Sequence, residues 1–138
     1  MSSSAAERGE SLESIVTALA GSAARAIDPL PRSGNSRVFR VECANGVFAL
    51  KFYPPRAADP RDRLGTEAAA LGFMATHEIG LVPRLIATDR ARNAALIEWI
   101  EAAPAAAPSE ADVDSALAFL ARLHGARRQS GADVLPAA

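Results

Sequence analysis

The sequence has few of the residues that build disulfides, metal sites or contacts with nucleic acid. Its 138 residues can form one domain with a modest core and include one cysteine, Cys43, which favours a reducing compartment, the cytoplasm. The two histidines, His77 and His124, have no neighbours at metal-ligand spacing, so we expect no metal site. The net charge of -1 argues against nucleic acid as a partner, and no apolar run is long enough to span a membrane.

Lysine is also scarce, and its position is informative. Of the 15 basic residues only Lys51 is a lysine, and it interrupts the apolar run of residues 47–53. This run lies between Asn45-Gly46, which suits a tight hairpin turn, and Pro54-Pro55, so it predicts a strand. Alternation gives the strand two faces: Phe48, Leu50 and Phe52 on one, and Val47, Ala49, Lys51 and Tyr53 on the other. A buried ammonium needs a partner or an anionic ligand.

A helix predicted from about Arg61 to Glu78 offers that partner. Glu67 lies on its apolar stripe, three residues after Leu64 and four before Leu71. The sequence therefore predicts a Lys51–Glu67 pair, with the helix packed across the sheet. Contact at about 4 Å has a gross attraction of about 4 kcal/mol, most of which desolvation offsets, so stability alone does not explain the pair. The alternatives are a structural ion pair or a lysine that extends to solvent from a strand end.

The remaining pattern predicts an α+β fold with a five-stranded antiparallel sheet. The strands are expected at 23–30, 37–43, 47–53, 84–88 and 94–100, with an N-terminal helix before them and the packed helix after the third strand. A C-terminal linker helix follows, with Ser109 as its N-cap, Asp112 as a partial match to a capping box, and Gly125 as its predicted C-cap. The expected divisions are a flexible leader (1–10), the sheet domain (11–101), a linker (102–108), the last helix (109–126) and a frayed tail (127–138).

Six short segments follow one another in an order typical of a known family. They are Gly-Asn-Ser-Arg-Val-Phe-Arg-Val at 34–41, Phe-Ala-Leu-Lys at 48–51, Leu-Gly-Thr-Glu at 64–67, Val-Pro-Arg-Leu at 82–85, Leu-Ile-Glu-Trp-Ile at 96–100 and Leu-Ala-Arg-Leu-His at 120–124. Together they resemble the aminoglycoside phosphotransferase / choline kinase-like family, which has a protein-kinase-like fold. The resemblance covers roughly residues 30 to 124 and corresponds to the N-terminal lobe only.

The resemblance implies an ATP site in this lobe. Lys51 would contact the α- and β-phosphates and Glu67 would hold it in place. The loop over the phosphates would consist of Ser33, Gly34, Asn35 and Ser36. Ile97 would lie behind the adenine, whose edge would bind the backbone of Glu98 and Ile100, with Trp99 between them.

The resemblance also implies what this lobe does not carry. The family's catalytic loop, which begins His-Gly-Asp, and its metal-binding Asp belong to the large lobe, and His124-Gly125 is followed here by Ala126-Arg127. We therefore assign no catalytic residue, and Mg²⁺ would need the C-terminal lobe. The expected function is the ATP-binding small lobe of a phosphotransferase that phosphorylates a hydroxyl of a small molecule, inactive alone, with a nucleotide and the C-terminal lobe as partners.

Two other hypotheses about the function of this chain remain open. The chain could be a non-catalytic interaction module that self-associates through an exposed apolar face around Leu85, Trp99 and residues 117–123. It could also be a small α+β domain in which Lys51 and Glu67 are charged by coincidence. A double-mutant cycle on these two residues separates that last reading from the kinase one, because coincidental charges show no coupling.

Overall fold

A five-stranded antiparallel sheet carries three α-helices in the residues that our computed structural model describes, 10–32, 34–102 and 107–136. The elements in chain order are α1 (Leu12–Ala20), β1 (Ala24–Pro29), β2 (Arg37–Cys43), β3 (Gly46–Phe52), α2 (Arg63–Thr76), β4 (Leu85–Asp89), β5 (Ala94–Glu98) and α3 (Glu110–Gly125). The strand order is β1-β2-β3-β5-β4. The predicted fold class is confirmed. None of the helices in the described residues is long and apolar enough to cross a membrane.

Helix α1 covers one face of the sheet and closes the larger core. Ser11 caps the helix by accepting from the Ser14 N–H, and Gly21 ends it with a φ of 69°. Its Ile15 and Val16 are buried in one cluster with side chains from three strands, β2, β3 and β5. The buried strand residues of this core are Phe39, Val41, Cys43, Phe48, Leu50, Ala94 and Leu96. Burial raises the pKa of the Cys43 thiol, as is usual for an unreactive core cysteine.

Helix α2 covers the opposite face with a much smaller apolar cluster. Leu64 from the helix is buried with Ala95 of β5 and with Tyr53, which directly follows β3. Because side chains alternate along a strand, the register that pairs Lys51 with Ala95 puts both on this face. The α2 face thus carries the single lysine of the chain beside its smaller core.

Helix α3 contributes no buried residue, although it is the longest helix of the described residues. Ser109 and Asp112 form a complete capping box at its start, where the sequence suggested a partial one. The segment predicted to be a frayed tail contains two single 3-10 turns, Ala126–Arg128 and Ala132–Val134, and its Ser130 carbonyl lies 2.9 Å from His77 Nε2. Of the predicted leader and linker, residues 1–9 and 103–106 lie outside the described residues.

Two glycine predictions need correction. The tight turn between β2 and β3 is formed by Ala44 and Asn45, whereas Gly46 already pairs with Cys43 in the sheet. A Cβ on Gly46 would lie 3.1 Å from Phe48 Cζ, so the glycine serves packing as well as its φ of 151°. Gly125 has a helical φ of -60° and does not end α3 in a left-handed cap, because the chain turns directly into a 3-10 turn.

Candidate functional site

The sheet and α2 bring the two predicted charges into contact. Lys51 Nζ lies 2.7 Å from Glu67 Oε2, and the two side chains are 24% and 31% exposed. The strand alternation directs Lys51 toward α2, and Glu67 lies one turn after Leu64, which anchors the helix in the α2-face core. The pairing predicted from the sequence is therefore present, half-buried and accessible from one side.

Tyr53 is a third member of this site. Its hydroxyl donates to the same Glu67 oxygen at 2.7 Å, and its ring centroid lies 4.9 Å from Lys51 Nζ. Burial, followed by the hydrogen bond to Glu67, raises the pKa of Tyr53 far above its ordinary value. Tyr53 was predicted to lie on the face of Lys51, without a role of its own. Its position could have indicated one, since it is the one tyrosine of the chain and lies two residues after the one lysine.

An open cleft of about 560 Å³ lies over this triad. Its polar lining consists of Ser36, Lys51, Tyr53, Arg61, Asp62, Arg63, Thr66 and Glu67. Three cations and two carboxylates therefore line one cleft, and its cationic donors suit an anionic ligand. Within the described residues, no group of three or more His, Cys, Asp and Glu side chains could hold a metal ion.

Asp59 fixes the two arginines of the cleft. It is 7% exposed, and its carboxylate accepts from Arg61 Nε at 2.9 Å and from Arg61 Nη2 at 3.0 Å. Arg63 Nε donates to the same carboxylate. Hydrogen bonds from Arg61, then from Arg63, hold the pKa of Asp59 well below its usual range. The sequence assigned no role to Asp59, Arg61 or Arg63, because spacing does not show which carboxylate two neighbouring arginines share.

The start of α2 is held to the sheet by its capping residue. Asp62 accepts from the Gly65 N–H at 3.0 Å, and Arg90 of the β4–β5 turn donates to both Asp62 oxygens at 3.0 and 2.9 Å. A Cβ on Gly65 would lie 2.1 Å from Asp62 Oδ2 and 2.8 Å from Arg90 Nη2. A side chain at this position would therefore displace the capping Asp62, and the cap helps to fix where Glu67 lies.

The structure brings part of the predicted phosphate loop to the cleft. Gly34 and Asn35 form an exposed turn in which Gly34 has a φ of 70°, and Ser36 lines the cleft beside Lys51. Asn35 lines a neighbouring cleft with Pro54 and Asp59 instead. Ser33 lies outside the described residues.

The predicted adenine segment lies further along the sheet and is not part of the cleft lining. Lys51 pairs with Ala95, three residues before Glu98 on β5, a distance of about 10 Å along the strand. Ile97 pairs with Ala49 on the face of Lys51 and packs against the α2-face core.

The backbone and side chains at the end of β5 already have partners. The Glu98 N–H donates to the Arg84 carbonyl at 2.8 Å. Trp99 Nε1 donates to Glu101 at 2.7 Å, and Arg40 lies 5.5 Å from the indole ring. Ile100 is 53% exposed. The Glu98 N–H is therefore already used within the sheet.

Comparison with protein families gives one decisive match. The sequence model of the phosphotransferase enzyme family (APH) matches residues 27–135. The chain belongs to this family. The family predicted from the six segments is confirmed, and the lysine, glutamate and loop discussed above all lie within the matched range of this phosphotransferase-family chain.

A solved structure gives the fold. The phosphotransferase-family chain resembles the crystal structure of a candidate fructosamine-3-kinase from Thermobifida fusca YX-ER1 with a TM-score of 0.53 and 24% identity. The match covers 70% of this chain and 33% of that one, so the chain spans about one third of the length of the structure it matches. At this identity the likeness shows the fold, a kinase-like small lobe. The comparison with curated proteins found no match.

Proposed function

We propose that this chain is the nucleotide-binding lobe of a small-molecule phosphotransferase and binds ATP in the cleft over Lys51 and Glu67. One observation carries the proposal: the only lysine of the chain contacts Glu67 at 2.7 Å inside a cleft that Arg61 and Arg63 also line. A phosphate group is the anion that such a set of donors suits.

The energetics of the pair support a ligand-binding role. Pairs with this degree of exposure contribute little to stability, typically about 0 to 1 kcal/mol. Apolar side chains at both positions would give the α2 face more buried area. An ammonium that one carboxylate orients and solvent reaches instead has further donors for a phosphate oxygen while the pair with Glu67 stays formed.

The other predicted residues fit an ATP extended along β3 and β5. The Ser36 hydroxyl lies in the cleft and can donate to a phosphate, and the turn at Gly34 lets the backbone approach it. The adenine would lie about 10 Å away near the Glu98 carbonyl and the Ile100 backbone, with Ile97 behind it. ATP supplies the phosphoryl group; the residues of this lobe bind and orient it.

We further propose that the lobe does not catalyse transfer alone. The base that receives the substrate proton and the ligands of Mg²⁺ would come from a second lobe, as in the family's two-lobed members. The substrate would be a small molecule with a hydroxyl group. ATP-dependent phosphorylation of any hydroxyl compound by the purified 138-residue chain would refute this part of the proposal.

Calorimetric titration of ATP into the chain tests the binding proposal. We expect Lys51→Met to weaken ATP at least tenfold, because a charge-assisted hydrogen bond is lost. Arg25→Met is the matched control, because Arg25 is an exposed cation on β1, outside the cleft, and its loss should leave the affinity unchanged. Equal affinity of wild type and Lys51→Met would contradict the proposal.

A second candidate role, interaction with another lobe, is favoured by α3. Val113, Leu117 and Leu120 are 52%, 58% and 55% exposed along one side of the helix. A patch of this kind marks a protein interface. We propose that its occupant is an apolar surface of the large lobe, since the solved relative has about two thirds of its length outside the match.

Light scattering at increasing protein concentration tests this choice against self-association. A monomer at all concentrations, for wild type and for Leu117→Gln alike, agrees with a face reserved for a second lobe. A dimer that Leu117→Gln dissociates would replace the proposal with self-association through α3.

A further inference from the structure

The positive charge of the cleft is concentrated at one end. Glu67 balances the charge of Lys51, with which it forms an ion pair at 2.7 Å. Arg61 and Arg63, in contrast, share a single carboxylate, that of Asp59, among the residues that the structure describes. The end of the cleft at the start of α2 therefore has one positive charge in excess, and an anion is attracted most strongly there.

Asp62 does not remove this excess. Its carboxylate lines the same cleft, but Arg90 donates to both of its oxygens, and Arg56 Nη2 lies 3.7 Å from Oδ2. This carboxylate is thus accompanied by two arginines of its own. The start of α2 is cationic overall, whereas the lysine–glutamate pair deeper in the cleft is neutral.

Both arginines of the cleft keep N–H groups for a ligand. Arg61 gives Nε and Nη2 to Asp59, and Arg63 gives Nε. Because a guanidinium has five N–H groups, Nη1 of Arg61 and both terminal nitrogens of Arg63 keep donors that Asp59 does not use. The arginine side chains are 67% and 39% exposed, while the carboxylate that holds them is buried. Two aligned guanidinium groups with free donors suit the oxygens of a terminal phosphate.

The proposed adenine segment and the arginines lie on opposite sides of Lys51. Glu98 pairs with β3 three residues before Lys51. Leu64, which directly follows Arg63, packs against Tyr53, two residues after Lys51. An ATP with its adenine near Glu98 and its inner phosphates at Lys51 therefore extends its terminal phosphate toward the arginines.

We propose that Arg61 and Arg63, aligned by Asp59, bind the terminal phosphate of ATP and make this lobe discriminate ATP from ADP. This inference rests on the proposed function, which supplies the contacts with adenine and Lys51, and the Lys51–Glu67 pair stays formed throughout. A terminal phosphate carries about two negative charges at pH 7, so it gains most from the cationic end of the cleft. Asp59 is a positioning residue, because it is not part of the cleft lining and acts through the two guanidinium groups.

Calorimetric titration of ATP and of ADP, in buffer without divalent cations, tests the two ends of the cleft separately. We expect Arg63→Met, and Arg61→Met as a second variant, to weaken ATP about tenfold and to change the ADP affinity by less than about twofold. The reason is that ADP lacks the third phosphate. Lys51→Met should weaken both nucleotides by a similar factor. Equal losses of ATP and ADP in the arginine variants would overturn the inference.

Arg92→Met is the matched control for the loss of one arginine. Arg92 also pairs with an aspartate, Asp89, but lies outside this cleft. Its substitution should change the affinity for neither nucleotide. A loss of ATP affinity as large as that in Arg63→Met would overturn the inference, because the general positive field of the lobe, and not a specific contact, would then hold the terminal phosphate.

Asp59→Asn tests the positioning role by the sign of its effect. If Asp59 contributed only its charge, the loss of a negative charge would strengthen ATP binding. An amide has one acceptor oxygen, however, and does not hold both guanidinium groups. We therefore expect ATP to weaken about threefold to tenfold and ADP to change little. Tighter ATP binding, or an equal loss of both nucleotides, would overturn the positioning role.

Inorganic tripolyphosphate separates this inference from the proposed function, because it has the three phosphates of ATP without the adenosine. Wild type should bind it about tenfold more tightly than Arg63→Met does. Failure of wild type to bind ATP would overturn the proposed function, and the tripolyphosphate affinities would then decide whether the arginines bind a phosphate chain. ATP binding that Lys51→Met weakens and Arg63→Met leaves intact would keep the proposed function and overturn this inference.

Discussion

The two faces of the sheet are built for different purposes. The face under α1 buries nine apolar side chains in one cluster, whereas the cluster under α2 buries three and lies beside an open cleft with a charged triad. Every buried CH₂ contributes about 0.8 kcal/mol, so the α1 face supplies most of the stability. The α2 face buries less apolar area and carries more polar groups, which is the arrangement expected where a ligand binds.

The largest expected effect tests this division directly. Leu50 on the α1 face is 0% exposed and Leu64 on the α2 face is 1% exposed, so the two form a matched pair. We expect Leu50→Ala to lower the free energy of unfolding by about 3 to 5 kcal/mol and Leu64→Ala by about 2 to 3 kcal/mol, because the smaller cluster beside a cleft relaxes more easily. Urea unfolding followed by circular dichroism measures both, and equal losses would remove the energetic distinction between the faces.

The next effect concerns how α2 is attached. Gly65→Ala should cost about 1 to 2 kcal/mol in the free energy of unfolding, because its Cβ displaces the capping Asp62 and Arg90. Gly72→Ala on the same helix meets nothing within 4 Å and should stabilise by up to about 1 kcal/mol. Thermal unfolding of both variants checks the sign, and a stabilising Gly65→Ala would show that the cap is dispensable.

A smaller effect appears in acid and includes the α2 side, where Asp59 lies. The arginines lower the pKa of Asp59, so its contribution to stability is present above the unfolded pKa of about 3.9 and is lost as pH falls below that value. We expect wild type to lose stability from about pH 5 downward, and Asp59→Asn to be less stable at pH 7 but to lose less on acidification. Melting temperatures of wild type and Asp59→Asn, measured from pH 7 into acid, test this expectation. A parallel pH dependence of the two would argue against a stabilising role for the contacts of Asp59 with Arg61 and Arg63.

The smallest effect is expected at a partly exposed ion pair on β2. Arg40 Nη1 lies 2.5 Å from Glu42 Oε1. Exposed pairs contribute little, so Glu42→Gln should leave the melting temperature unchanged within error. A clear fall in the melting temperature would mean that ion pairs of this exposure do stabilise the sheet. The Lys51–Glu67 pair could then serve stability, and the energetic argument for its functional role would weaken.

Particular residues show how much of the fold could be predicted from the sequence. The alternation of Phe39, Val41 and Cys43 predicted β2 with its observed bounds. The spacing of Leu64, Glu67 and Leu71 predicted the side of α2 that faces the sheet. The hairpin turn was displaced by one residue because a glycine can serve either a turn or close packing against a ring. The failure of the C-cap at Gly125 has a similar origin, since a glycine also fits within a helix that continues into a tighter turn.

By itself, the sequence determined the period-two strands, the apolar stripe of α2, and the placement of one lysine and one glutamate on faces that must meet. These are short-range properties, because backbone periodicity fixes which side chains share a face. Only the tertiary structure decided that Tyr53 and Lys51 share one oxygen, that Asp59 aligns two arginines toward the cleft, and that α3 remains exposed. Those features depend on distances between residues far apart in the chain, or on which of several equivalent donors lies nearest, and no spacing rule specifies them.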